Sequence, residues 1–130
     1  MNKSLLILFF IGLTLQLSGQ DSIKIRSGKP KLYQGSSHEI AAWYLYFAEG
    51  MYYLTKLPNK KSNEASEWFE KRKDSQNIYK GKIFEGKNTT LSLAKENNSA
   101  EKLNFYFHKS EDVIVLISTV DGVKFRFSEV

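Results

Sequence analysis

The chain has 130 residues, with 19 basic and 14 acidic side chains and a formal net charge of +5. This length fits one domain. The chain contains no cysteine, which excludes disulfides, a lipid-modified cysteine and a cysteine-based metal site. Nine Phe, seven Tyr and two Trp, with only two Pro, are typical of a strand-rich domain.

The N-terminus has the pattern of a secretory signal peptide. Lys3 precedes an apolar run from Leu5 to Leu17, and the small residues Ser18 and Gly19 follow. The run is shorter than the roughly 20 residues that a membrane-spanning helix needs. We therefore expect residues 1–19 to be a signal peptide, with cleavage after Gly19 or one residue later. Export to the periplasm or the extracellular space would leave residues 20–130 as a single domain.

The stretch from Ile40 to Leu57 predicts a β-hairpin, preceded by short strand patterns at Ile23–Ile25 and Lys31–Tyr33. Gly50 can adopt the positive φ of a tight turn, so Glu49-Gly50 is the predicted turn. Phe47 then faces Tyr52. One face of the hairpin carries Trp43, Leu45, Phe47, Tyr52 and Leu54, and the other carries Tyr44, Tyr46, Met51 and Tyr53. Because both faces are apolar, a larger structure must cover them.

Residues 63–73 predict a short helix after the turn at Pro58. Asn63 is a candidate N-cap, and Glu67 and Lys71 have the spacing of an i,i+4 ion pair. The alternative is an irregular loop in which Trp68 plugs one end of a barrel. In both cases we expect Trp68 to be buried.

The C-terminal half predicts further strands at 77–84, 89–94, 103–107, 113–120 and 123–128. Gly81 inside the first of them indicates a bend or bulge. The polar segment 95–101 predicts a loop, and 108–112 predicts a turn. Asp121-Gly122 is the strongest hairpin signal in the chain. It would place Val120 opposite Val123. The outer face would then carry Lys124, Arg126 and Ser128, and the inner face would carry Ile114, Leu116, Ser118, Val120, Val123, Phe125 and Phe127.

Together these segments predict an all-β fold, an antiparallel meander of seven or eight strands that closes into a barrel. The pattern resembles the small bacterial lipocalin-like (calycin-type) β-barrel proteins. The resemblance covers Ile40 to Phe127 and is carried by the hairpin from Trp43 to Tyr53, by Trp68, by Tyr79-x-Gly81-x-Ile83 and by Phe125-Arg126-Phe127. It implies a barrel with an apolar interior, in a group whose function is usually unassigned.

Groups suited to catalysis are scarce in this sequence. His38-Glu39, and His108 with Glu111-Asp112, are the only clusters that suggest a metal site, and each has too few ligands. No Gly-rich phosphate loop and no Gly-x-Ser-x-Gly motif occurs. We therefore expect no enzymatic activity, no metal and no cofactor.

Lysines interleaved with aromatic residues form a basic strip that acidic residues interrupt. It consists of Lys60-Lys61, Lys71-Arg72-Lys73 and Lys80, Lys82 and Lys87, with Trp68, Tyr79 and Phe84 among them. Such a strip suits single-stranded nucleic acid or another polyanion. Export argues against nucleic acid, and a solvated face is the simpler interpretation.

We expect the protein to bind a small apolar or amphipathic ligand inside the barrel. The predicted binding residues are Trp43, Leu45, Phe47, Tyr52, Leu54, Phe105, Leu116, Phe125 and Phe127. The alternative is a module in which exposed Tyr44, Tyr46 and Tyr53 dock an envelope or secreted protein. A third possibility is a filled core with no cavity. No membrane span is expected after signal cleavage.

Overall fold

The computed structural model describes residues 29–130, which contain nine strands and one α-helix. The strands are β1 (Lys31–Gly35), β2 (Trp43–Ala48), β3 (Met51–Lys56), β4 (Tyr79–Gly81), β5 (Ile83–Glu85), β6 (Thr89–Lys95), β7 (Asn98–Ser110), β8 (Val113–Ser118) and β9 (Lys124–Glu129). The helix α1 (Ser62–Arg72) lies between β3 and β4, and a 3-10 turn (His38–Ile40) joins β1 to β2. The predicted signal peptide and the predicted strand at Ile23–Ile25 lie outside the described residues.

The strands form one closed antiparallel barrel. Successive strands pair with each other around the barrel, and β9 pairs back with β1. β4 and β5 both pair with β6, so they are two parts of one strand interrupted at Lys82, and eight strands surround the interior. Closure leaves no long unpaired edge. The predicted all-β meander barrel with one short helix is therefore confirmed.

The central hairpin has the predicted register. Phe47 pairs with Tyr52 and Leu45 pairs with Leu54. Glu49 and Gly50 have φ values of 53° and 81°, the positive angles that a type I′ turn requires. Because the turn determines which residues pair, it also determines which residues share a face.

The two apolar faces of the hairpin are buried by different parts of the molecule. The inward face belongs to the barrel core, whose buried members are Tyr33, Leu45, Tyr52, Leu54, Leu91, Leu93, Phe105, Phe107, Ile114, Leu116 and Phe127. The outward face packs under α1, in a cluster of Leu32, Tyr44, Tyr46, Ala48, Tyr53, Leu57, Ala65, Phe69 and Ile78. The ring of Phe69 stacks on Tyr46, with centroids 4.9 Å apart and planes 8° apart. The helix therefore completes a second core outside the barrel.

Helix α1 differs from its prediction in its N-cap and in its ion pairs. The N-cap is Lys61, whose backbone N–H donates to the Glu64 carboxylate at 3.1 Å, and Asn63 lies inside the first turn. Within residues 29–130, Glu67 and Lys71 form no salt bridge. Trp68 is half-buried beside Phe69 in the outer cluster, so it does not plug the barrel.

The predicted loop at 95–101 and the predicted turn at 108–112 are both too long. β6 continues to Lys95 and β7 begins at Asn98, so only Glu96 and Asn97 form the turn. At its other end β7 includes His108 and runs to Ser110. A strand with polar side chains on its solvent-exposed face has a sequence similar to that of a loop, because polar residues suit any segment in contact with water.

The predicted pairing of Val120 with Val123 is wrong by two residues. Leu116 pairs with Phe125 and Ile114 pairs with Phe127, which leaves residues 119–123 as a loop. Val120, predicted on the inner face, is instead 91% exposed at the tip of this loop, because the strand pairing ends at Ile117 and Lys124. Side chains alternate with a period of two, so a shift of two residues keeps every strand residue on its predicted face.

Candidate functional site: a cavity at one end of the barrel

A cavity of about 330 Å³ lies inside the end of the barrel where β2 and β9 begin. It is lined by Ile40, Trp43, Leu54, Leu103, Phe105, Leu116, Ser118, Asp121, Val123, Phe125 and Phe127. Nine of these residues are apolar, and only Ser118 and Asp121 are polar. The volume is near the lower end of the range for small-molecule sites, which is roughly 300–1,000 Å³.

The alternation of inward and outward side chains along each strand produces the wall of the cavity. Trp43 and Leu54 come from the central hairpin, and the other strand residues come from β7, β8 and β9. Ile40 enters from the β1–β2 connection. The rings of Phe105 and Phe125 meet edge to face at 6.1 Å. Aromatic side chains from several strands thus surround one apolar space.

The opposite end of the barrel is filled. There the Tyr52 ring packs against Phe47 at 4.7 Å and against Phe107 at 5.4 Å, and Tyr33 is only 1% exposed. Large aromatic rings at these inward positions leave little free space. The cavity is therefore confined to the end that carries Trp43 and Phe125.

The structure brings six of the nine predicted binding residues to the cavity. These are Trp43, Leu54, Phe105, Leu116, Phe125 and Phe127. Leu45, Phe47 and Tyr52 belong to the same interior core but lie outside the cavity lining. Leu103, which was missed, shares the inward alternation of Phe105 and could have been found from that pattern. Val123, predicted on the inner face of the last strand, also lines the cavity, although it lies in the β8–β9 loop. Asp121, in the same loop, has no alternation pattern that could have identified it.

The β8–β9 loop gives the mouth of the cavity a defined shape. The Asp121 carboxylate accepts a hydrogen bond from the Val123 N–H at 3.1 Å, and the Gly122 N–H donates to the Ser118 carbonyl at 2.9 Å. The hydrogen bond from Val123, followed by one from the Ser118 side chain, lowers the pKa of Asp121. The rim therefore presents an ionised carboxylate beside an apolar cavity at neutral pH.

Tyr52 in the filled end makes a testable contribution to stability at high pH. Burial, followed by the nearby Tyr33, raises its pKa from 10.0 to about 12. The neutral phenol is thus favoured in the folded state, and this stabilisation is present below pH 10 and lost as the pH rises towards 12. We expect wild type to lose about 2 kcal/mol of unfolding free energy through this group over that range. The measurement is the free energy of unfolding in denaturant, for wild type and for Tyr52→Phe, at a series of pH values. If this free energy depends on pH equally in the two proteins, the prediction is contradicted.

The three tyrosines of the alternative interaction surface are not on the surface. Tyr44, Tyr46 and Tyr53 are 2%, 2% and 6% exposed beneath α1. The Tyr46 hydroxyl donates to the Glu70 carboxylate, and the Tyr44 hydroxyl donates to the Lys60 carbonyl at 3.0 Å. Burial and the Glu70 contact raise the pKa of Tyr46. These side chains hold α1 on the barrel, so they do not form an exposed aromatic patch.

Within the part of the chain that the structure describes, no three His, Asp or Glu side chains gather in a metal-binding arrangement. His38 and His108 are both exposed. No helix among residues 29–130 is long and apolar enough to cross a bilayer.

No family model, curated protein or solved structure matches this chain significantly. The cavity and the surface of the barrel are therefore the basis for a functional assignment.

Proposed function

We propose that this protein is an exported, non-catalytic binding protein for a small apolar or amphipathic ligand. The observation that carries the proposal is the cavity of about 330 Å³, with nine apolar lining residues and two polar ones at its mouth. A packed barrel core leaves few voids larger than a water molecule. Because the cavity opens at one end of the barrel, its apolar wall is in contact with water, and an apolar ligand would bury that wall.

The size and lining of the cavity define the ligand. An apolar cavity of roughly 150 Å³ holds one benzene ring. The cavity here is about twice that volume, so it fits a body of two rings or a medium-length alkyl chain. Any polar group of the ligand would lie beside Ser118 and Asp121, because buried polar groups need partners.

Export and lipocalin-like kinship are parts of the same proposal. The basic, apolar and small-residue order of residues 1–19 supports export. The closed meander barrel is the architecture that a lipocalin-like protein would have.

Native mass spectrometry of the protein purified after export tests the proposal directly. Extra mass that disappears on denaturation supports it, and an unliganded species at every stage of purification contradicts it.

Leu103→Trp should block the cavity. Leu103 points into it from β7, and an indole at that position would occupy the space that a ligand needs. We expect binding of the apolar fluorescent dye N-phenylnaphthylamine to weaken by about tenfold or more, equivalent to about 1.4 kcal/mol. Tyr106→Trp is the matched control, because Tyr106 is on the same strand, faces outward and is 39% exposed. Equal dye affinity in Leu103→Trp and wild type would show that the dye binds elsewhere.

Asp121 should favour ligands with a cationic head. We expect octylamine to displace the dye more effectively than octanol by a factor of about two to five, the range for an exposed ion pair. Asp121→Asn removes the charge and keeps an oxygen that can accept from the Val123 N–H. This variant should lose the preference for octylamine and keep its affinity for octanol. An unchanged preference would mean that the head lies away from the β8–β9 loop.

A further inference from the structure

An aromatic surface lies on the side of the barrel away from α1. Cross-strand pairing places Phe84 beside Thr90, Thr90 beside Tyr106, and Tyr106 beside Ile117. Phe84 is 70% exposed and Tyr106 is 39% exposed. A phenylalanine ring has no polar atom, so its burial against another apolar surface would be favourable.

The groups around these two rings are cationic or neutral. Lys82 shares the outward side of the interrupted strand with Phe84, Lys87 is in the following turn, and Lys102 faces outward on β7. All three are exposed, and within residues 29–130 none forms a salt bridge. The outward positions between them on β6 and β7 carry Thr90, Ser92, Ala94 and Asn104. We call Lys82, Phe84, Lys87, Lys102 and Tyr106 the cationic face.

Acidic side chains near this surface are engaged elsewhere or lie at its border. Glu96 in the β6–β7 turn pairs with Lys80 at 3.7 Å. Glu101 lies beside the Tyr79 hydroxyl, whose pKa is raised by burial and, in addition, by this carboxylate. Glu85 follows Phe84 at the end of β5 and alternates to the other side of the strand. The centre of the cationic face therefore has a single sign of charge.

We propose that the cationic face docks on the surface of an anionic lipid bilayer. Lysines are attracted to anionic head groups, and aromatic rings are favoured at the boundary between head groups and hydrocarbon. Phe84 would enter that boundary, with the Tyr106 hydroxyl at the level of the head groups. A soluble polyanion without apolar groups, such as heparin, is the less suitable partner, because it would neutralise the lysines and leave the exposed Phe84 ring uncovered.

This mode of docking leaves the cavity accessible. The cationic face is on the side of the barrel, whereas the cavity opens at one end, beside the β8–β9 loop. Helix α1 packs on β1 and β2, which are across the barrel from β6 and β7. The proposal does not depend on ligand binding, and the two can be tested separately on the same variants.

Vesicle flotation tests the proposal with the chain that begins at Gln20. Residues 29–130 contain the closed barrel and both apolar clusters, so this chain contains the whole fold. The apolar run from Leu5 to Leu17 is left out because it would itself bind lipid. The protein is mixed with vesicles of phosphatidylcholine alone, or of phosphatidylcholine with phosphatidylglycerol. We expect binding only to the second kind, and weaker binding as salt is added.

Two pairs of charge-reversal variants distinguish an effect of the cationic face on vesicle binding from an effect of net charge. The double variant Lys82→Glu/Lys102→Glu should weaken vesicle binding by at least about 25-fold, since each basic residue near an anionic surface contributes about fivefold. The control Lys60→Glu/Lys71→Glu makes the same change in net charge at exposed positions near or on α1. The control should bind much as wild type does. If it weakens binding as much as the first pair, net charge alone explains the binding and the proposal is wrong.

Phe84→Ser separates a bilayer from a soluble polyanion. Loss of the ring should weaken vesicle binding by about tenfold, because part of its burial energy is lost. The control Val120→Ser removes another exposed apolar side chain, one that is 91% exposed in the β8–β9 loop. No binding to anionic vesicles would overturn the proposal. Tight binding to heparin with no effect of Phe84→Ser would overturn it in favour of a polyanion site.

Discussion

Gly81→Ala should destabilise the barrel by about 3 kcal/mol, a large effect for the addition of one methyl group. A Cβ at this position would lie 1.8 Å from the Ser92 carbonyl oxygen and 2.9 Å from its carbon. Both atoms are backbone of β6, so no side-chain rotation relieves the clash. The strands that close the barrel would have to separate at the interruption between β4 and β5.

Equilibrium unfolding in denaturant measures this loss, and Gly86→Ala is the matched control. A Cβ at Gly86 would meet only the exposed Phe84 ring, at 3.0 Å, and that ring can rotate away. The control should therefore stay within about 0.5 kcal/mol of wild type. If Gly81→Ala is as stable as the control, β4 and β6 can move apart at little cost.

Phe69→Ala should cost about 3–5 kcal/mol of unfolding free energy, the usual range for a buried phenylalanine. Phe69 is 0% exposed, and its ring stacks on Tyr46 at 4.9 Å. Its removal leaves a void between α1 and the barrel. We expect the helix to loosen and the tyrosines beneath it to become accessible to water.

Unfolding in denaturant measures the loss of free energy, and tyrosine fluorescence measures the exposure of the tyrosines to water. Glu67→Ala is the control, because Glu67 is exposed on the same helix and alanine preserves helicity. If Phe69→Ala prevents folding, Phe69→Leu retains most of the packing and should lose less. A loss below about 1 kcal/mol for Phe69→Ala would mean that α1 contributes little to the stability of the barrel.

The Phe69 and Leu103 variants examine two separate apolar cores. The outer cluster under α1 stabilises the fold, and the inner cavity binds the ligand in our proposal. Folded Phe69→Leu should therefore keep its affinity for the dye. Leu103→Trp should lose dye binding while it keeps most of its stability.

Local sequence patterns were sufficient to predict most of the strands and the faces of their side chains. Glu49-Gly50 has the positive φ angles of a tight turn, so the pairing of Phe47 with Tyr52 followed from two residues. Period-two alternation then placed Leu116, Phe125 and Phe127 inside the barrel, even though the predicted β8–β9 pairing was shifted by two residues. Local backbone preferences and the period of a strand depend on neighbouring residues alone, so one sequence is sufficient to predict them.

The packing of the folded chain is needed to show which apolar residues border free space. Leu45 and Trp43 are both inward residues of β2, yet Trp43 lines the cavity and Leu45 is packed on all sides. Likewise, the tyrosines on the outward face could have formed an exposed patch, and α1 covers them instead. A cavity and a cover both depend on the volumes that distant segments bring to one place. That information is in the packing of the whole chain, and it is absent from the pattern of any single strand.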